Sequence, residues 1–208
     1  MANRESTFLN MVVTLFSVTL VAAALLGSVY ALTKEPIRLA ELARKNEAIQ
    51  VVVPEFDNEP STEVRSMFMD GDSVYIYTAK QGEQVVGYAV ETFTNQGFSG
   101  EFKLMVGFRP DGTIIDIAVI SHAETPGLGD KMERDKSEFH TQFMGKHPDD
   151  FRLAVKKDRG DVDAITASTI TSRAYCDAVK RAYAALREAQ VQSERGSTPD
   201  GNSDTLTL

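Results

Sequence analysis

The chain has 208 residues, with 22 lysines and arginines against 30 aspartates and glutamates, and a formal net charge of −8. That length accommodates one soluble domain of ordinary size plus an appendage. A chain this acidic is a poor ligand for nucleic acid and for anionic lipid surfaces, and nucleic acid is excluded as a partner. Cys176 is alone, which excludes an intrachain disulfide, a CxxC pair and a cysteine zinc cluster.

The first element is apolar. No charged residue occurs between Ser6 and Thr33, and Phe8 to Leu32 is dominated by Leu, Val, Ala, Phe and Met. As a helix these 28 residues span roughly 42 Å at about 1.5 Å per residue, enough to cross a hydrocarbon core of about 30 Å. A cleaved signal peptide, with Val29-Tyr30-Ala31 as its cleavage site, is the competing reading. Its apolar region runs only about 7–15 residues, so the length predicts an uncleaved anchor with a short leading tail over residues 1–33. Arg4 alone precedes the apolar run, whereas Lys34, Arg38, Arg44 and Lys45 follow it. Positive charge by itself therefore places the large domain in the cytoplasm. Ser17, Thr19 and Ser28 inside the anchor either bond their own helix or touch other subunits.

Lys34 to Val53 reads as a stalk helix with Pro36 in its first turn, followed by a polar loop between Pro54 and Pro60, so stalk and linker cover residues 34–60. From Ser73 the period changes. Val74 to Thr78 and Val85 to Val90 predict a hairpin around Gln81-Gly82-Glu83. Phe102 to Phe108 and Thr113 to Ile120 predict a second strand pair around the turn Arg109-Pro110-Asp111-Gly112. Leu153 to Val155 and Val162 to Ile165 are short strand candidates. Helix is predicted from Asp130 to about Phe143 and from Thr171 to Gln190. In the second helix Ala174, Ala178, Val179, Ala182 and Leu186 share a face, and Cys176 is expected there as a small buried hydrophobe. The composition of residues 191–208 predicts a disordered tail. Strands in runs with helices segregated around them predict an α+β domain over residues 61–190, not a doubly wound nucleotide fold. No GxGxxG or Walker A string is present.

The segment Asp163 to Ser172 sets hydroxyls and small residues directly before the last helix. A helix N-terminus gathers unpaired amides and the positive end of the dipole. Hydroxyls there cap the helix, bind a phosphate, or are esterified to one. Two glycine-rich loops accompany this segment: Asn95 to Gly100, and Ser121 to Asp130. Their glycines allow close backbone approach, Glu124 and Thr125 add polar handles, and Phe98 and Leu128 offer apolar surface for a ring system. His140 and His147 are spaced unlike a metal pair on one helical turn, and His122 is suited to orienting its own loop. No metal site and no acid–base catalytic residue is expected.

Asp163 with Thr166-Ala167-Ser168-Thr169 resembles the flavinylation motif of covalent FMN-binding domains, usually Asp-x-x-Ser/Thr-Gly-Ala-Thr. His122-Ala123-Glu124-Thr125-Pro126-Gly127-Leu128-Gly129 closely resembles their second signature. With one amino-terminal membrane helix and this length, the chain is similar to the G subunits of Rnf ion-translocating ferredoxin:NAD oxidoreductases. The C subunits of sodium-translocating NADH:quinone oxidoreductases share both signatures, and a cofactor-free anchored assembly module on the same fold is the reading of another class.

The resemblance implies an electron-relay flavoprotein with FMN joined to Thr169 through a phosphodiester. Ser168 and Thr171 are the second-choice attachment sites, Thr166 and Ile170 join them as cofactor-binding residues, and the amides of Ile170 to Arg173 would stabilise the phosphate charge. Phe98, Ser99, Glu124, Thr125, Gly127 and Leu128 would hold the ribityl chain and ring. It also implies membrane and iron-sulfur partner subunits, a flavin transferase during maturation, and a domain on the periplasmic side of the inner membrane. The departures are Ala167 in place of the usual Gly and Ser168 in place of the usual Ala. If the motif needs a left-handed backbone at its glycine, Ala167 is strained.

Overall fold

The computed structural model describes residues 8–196. It divides into two units, one ending at Arg44 and the other starting at Lys45. In the first unit the apolar segment is helical, as its composition requires, and belongs to α1 (Phe8–Val52). This helix is long and apolar enough to cross a membrane. It continues through Pro36, so the predicted anchor and stalk are one helix and Pro36 lies inside it instead of in a first turn. Proline has no N–H for the carbonyl four residues back, which removes one helical hydrogen bond there. The hydroxyls of Ser17, Thr19 and Ser28 donate to the carbonyls of Val13, Leu15 and Ala24 within their own helix.

The second unit is built on a five-stranded antiparallel meander in the order β1 to β5. The strands are β1 (Val64–Met69), β2 (Asp72–Gln81), β3 (Gln84–Gly97), β4 (Gly100–Phe108) and β5 (Ile114–Ser121). Both predicted hairpins form, and each strand extends beyond its β-branched centre. β1 has no counterpart among the predicted strands. It is an exposed edge strand, paired with β2 on one side and without the alternation that marks a half-buried strand. Leu153 to Val155 and Val162 to Ile165 make a single parallel bridge, Val155 with Val162, instead of two strands.

The helix expected from Asp130 to Phe143 is absent. Two short 3-10 turns stand there, Gly129–Met132 and Phe139–Phe143. Met132, Phe139 and Phe143 are buried at a spacing that imitates a helical face. Between them Ser137 accepts the amide of Phe139 through its hydroxyl, which donates to the Lys131 carbonyl. Such side-chain bonds offer the backbone an alternative to the helical ladder.

The final helix, α2 (Thr169–Gly196), starts two residues before the predicted position and continues past Gln190. Residues 197–208, the remainder of the predicted tail, lie outside the described residues. Ala174, Ala178, Val179, Ala182 and Leu186 all face the main core, with Val74, Ile76, Val90, Leu104 and Val106 from the sheet. Cys176 is buried among them, and burial pushes its thiol up to about 12. On the opposite sheet face, Ala48, Ile49, Val52 and Val53 pack against Tyr77, Ala79, Ala89, Met105 and Ala118. Gly107 makes that contact possible: a Cβ there would fall 1.8 Å from the Val52 carbonyl oxygen. Beside it, buried Glu91 accepts the Tyr77 hydroxyl at 2.9 Å and pairs with Lys45 at 3.0 Å. The meander thus carries a helical segment on each face and leaves its β3–β4 turn, the loop after β5 and the start of α2 to meet at one end.

Candidate functional site

The start of α2 is set by a few local hydrogen bonds. The Ser168 amide donates to the Ile165 carbonyl, and the Ser172 amide donates to the Ser168 carbonyl at 3.0 Å as the first helical bond. The Ser172 hydroxyl donates to the same Ser168 carbonyl at 2.9 Å and accepts the Ile165 amide at 2.9 Å. Thr169, Ile170 and Thr171 occupy the first turn, before that bond. Their amides are the ones free of helical acceptors, which corrects the expected set of Ile170 to Arg173. Ala167 turns the chain into the helix with φ of +62°, in the left-handed region. That conformation costs a non-glycine residue roughly 1–2 kcal/mol.

The first glycine loop is tighter than its composition suggests. Gly97 and Gly100 pair across the β3–β4 hairpin, leaving Phe98-Ser99 as a two-residue turn. Gly100 sits at φ +104°, which favours glycine. The second loop leaves β5 at Ser121 and enters the first 3-10 turn at Gly129. His122 orders it: Nδ1 accepts the Glu124 amide at 3.0 Å, and Nε2 pairs with Glu133. The Gly127 amide and the Lys136 ammonium hold the Asp130 carboxyl below the usual carboxylate range.

Glu124 joins these pieces. Only 5% exposed, it accepts the Ser99 amide on Oε1 at 3.2 Å and the Thr171 hydroxyl on Oε2 at 3.0 Å. One carboxylate therefore ties the β3–β4 turn, its own loop and the first turn of α2. A Cβ on Gly129 would approach its Oε2 to 2.5 Å, and one on Gly97 would meet its Oε1 at 2.7 Å and the Gly100 carbonyl oxygen at 2.3 Å.

Around Glu124 lies a cavity of about 290 Å³. Of the predicted site residues, Phe98, Glu124, Thr125 and Leu128 line it from the loops, Ser168 lines it from just before α2, and Thr169 to Thr171 line it from the first turn of that helix. Gly129 and Ala167 complete the wall; neither is among the expected site residues, although both stand inside the quoted signatures. Ser99, Gly127 and Thr166 are not among the lining residues. Ser99 acts through its amide on Glu124, Gly127 turns the loop at φ +79°, and Thr166 is exposed on the approach to the helix. The motif aspartate, Asp163, pairs with Lys156 at 2.7 Å and gives its amide to Gln142, outside the cavity.

These features fit a flavin phosphate. The first turn of α2, where amides lack helical acceptors, lines the cavity together with the half-buried Thr169, and Phe98 and Ile170 add apolar side chains 68% and 48% exposed. A larger groove of about 810 Å³, lined by Arg65, Lys80, Tyr88 and Gln190 among others, includes none of these residues.

Residues 97–184 match the family model described as FMN-binding domain. The match begins at the β3–β4 turn and ends within α2, so it encloses every residue that lines the cavity. The chain is 32% identical over 190 residues to the G subunit of the ion-translocating oxidoreductase complex of Vibrio cholerae, covering 86% of this chain and 90% of that protein. It is 34% identical over 188 residues to the protein of the same description from Haemophilus influenzae, covering 87% and 91%. A third such protein, from Shewanella oneidensis, is 41% identical over 128 residues, covering 59% of this chain and 60% of the relative.

Proposed function

This chain belongs to the family of ion-translocating oxidoreductase complex G subunits, and from that membership we propose that it carries its FMN as a phosphodiester on Thr169. It is a membrane-anchored electron-transfer flavoprotein subunit of a redox-driven ion-translocating complex of the Rnf type, acting between ferredoxin and NAD. The observation that carries the Thr169 assignment is the place of its side chain, in the first turn of α2 and on the wall of the cavity.

FMN supplies reversible one- and two-electron redox chemistry; the protein supplies position and surroundings. The amides of Thr169, Ile170 and Thr171 stabilise the single negative charge of the diester. Thr125 and the backbone around Gly127 serve the ribityl chain, and Phe98 and Leu128 give the ring an apolar seat. Glu124 keeps the loops together, and no side chain is assigned as a general acid or base. Ala167, with its left-handed backbone, supports the reading despite its departure from the usual motif, because it keeps a bend that glycine would make without strain.

Attachment requires a flavin transferase that takes FMN from FAD. A bond forms between Thr169 Oγ1 and the FMN phosphorus, the pyrophosphate bond breaks, and AMP leaves with the hydroxyl proton taken up by solvent. The partners are the other membrane and iron-sulfur subunits of the complex. The soluble domain faces the periplasm, as in the family, against the simple count of basic residues flanking the anchor. There, covalent attachment prevents loss of a cofactor that the compartment does not replenish.

Thr169→Val, co-expressed with the transferase, loses in-gel flavin fluorescence after denaturation; fluorescence retained in that variant moves the link to another residue. A fused reporter that matures only in the periplasm is active, and activity restricted to a cytoplasmic reporter reverses the topology.

A further inference from the structure

We infer that the cavity selects a singly charged phosphodiester over the doubly charged phosphate of free FMN, and that Glu124 is the positioning residue that imposes this choice. The inference deepens the proposed attachment at Thr169 and rests on it. Glu124 lines the cavity, is almost fully buried, and has both oxygens committed to the Ser99 amide and the Thr171 hydroxyl. Gly97 and Gly129 back onto its two oxygens, with no room for a methyl group on either.

Among the described residues, no lysine, arginine or histidine lines the cavity. Arg173, on the first turns of α2, is held by Asp158 at 2.6 and 2.8 Å. Lys136 pairs with Asp130 and Glu133. His122 accepts the Glu124 amide on Nδ1 and pairs with Glu133 through Nε2. The positive potential at the cavity is that of the three first-turn amides, equivalent to about half an elementary charge. A phosphate monoester carries about −1.5 to −2 at neutral pH, with its second ionisation near pH 6. Its diester carries a single charge at any physiological pH. The amides offset one negative charge in part, and the second meets the Glu124 carboxylate with no lining cation to compensate it. Esterification to Thr169 thus removes the charge that the cavity does not accommodate. The same arrangement keeps the mature site from retaining free FMN in place of the attached cofactor.

The test uses the full-length Thr169→Val chain in detergent, produced in cells without a flavin transferase, so that it is flavin-free whichever hydroxyl is the natural link. At pH 8 it is titrated with FMN and with the monomethyl ester of FMN, following quenching of flavin fluorescence. The ester binds about tenfold more tightly than FMN, the scale of one additional like-charge contact in a partly buried site. Adding Glu124→Gln narrows the ratio to about threefold or less. Ile170→Lys, at an exposed position that does not test folding, narrows it from the other direction by strengthening FMN binding. FMN binding as tightly as the ester in the Glu124 chain overturns the inference. So does a ratio unchanged in both variants, or the absence of binding by either ligand. The in-gel experiment on Thr169 is separate, so failure of the attachment site and failure of charge selection give different results.

Discussion

The Thr171 hydroxyl donates to Oε2 of Glu124 at 3.0 Å, and both residues are buried. This bond connects the loop after β5 with the first turn of α2, 47 residues later in the chain. It places the two signature segments on one cavity wall. Thr171→Val leaves a buried carboxylate oxygen without its donor, at a cost of about 1–3 kcal/mol. Thr169→Val, at a half-buried position without that bond, stays within about 0.5 kcal/mol of the parent. Thermal unfolding of the two flavin-free variants separates them; equal loss of stability would show that Thr171 acts only as a neighbour of the attachment site.

Ala167 carries the left-handed turn that admits the chain to α2. Ala167→Gly relieves that strain, offset in part by the greater freedom of glycine in the unfolded chain. The expected gain is about 0.5–1 kcal/mol, or a few degrees in the melting temperature of a domain this size. A lower melting temperature for the glycine variant would mean that Ala167 is not strained.

Gly107 lies under the Val52 carbonyl, with no space for a methyl group. Gly107→Ala drives the Ala48–Val53 segment from the sheet and costs about 1–3 kcal/mol. Hydrogen exchange reads this directly. Amides from Ala48 to Val53 lose protection, while those of α2 on the opposite face keep theirs. Uniform loss across both faces would contradict the local reading.

Cys176 has a thiol pushed up to about 12 by burial. The native protein therefore reacts far more slowly with iodoacetamide than the unfolded chain at every pH between 7 and 9, and its rate is still climbing at pH values where that of a free thiol has levelled off. The linkage has one sign. A raised pKa means that the folded state holds the proton more tightly than the unfolded chain, so the contribution is complete below the ordinary value of 9.0 and is lost as pH rises towards about 12. Denaturant midpoints measured across that range should fall more steeply for the parent than for Cys176→Ala.

Both hairpins were legible because β-branched and aromatic runs flank strong turn residues, and the buried face of α2 was legible from its spacing. Met132, Phe139 and Phe143 are buried at helical spacing without a helix, whereas Ala174, Ala178 and Leu186 are buried at that spacing on one: apolar spacing reports which side chains are buried, not how the backbone reaches them. In the first case Ser137 diverts the backbone bonds, and no apolar period reports that. β1 escaped because an exposed edge strand has no hidden face to impose alternation. The cavity was largely legible, since its residues fall in two recognisable strings. The double commitment of Glu124 was not, because it joins residues distant in sequence through one side chain.

The electron-relay role depends most on the ester at Thr169. Tryptic cleavage after Arg159 and Arg173 yields a peptide of residues 160–173 that contains every candidate hydroxyl. Fragment-ion mass spectrometry of that peptide, from protein matured in its native membrane, measures the claim directly. One FMN per peptide, on Thr169, is the expected result. An unmodified peptide, or fragments that put the flavin on Thr166, Ser168 or Thr171, would contradict it.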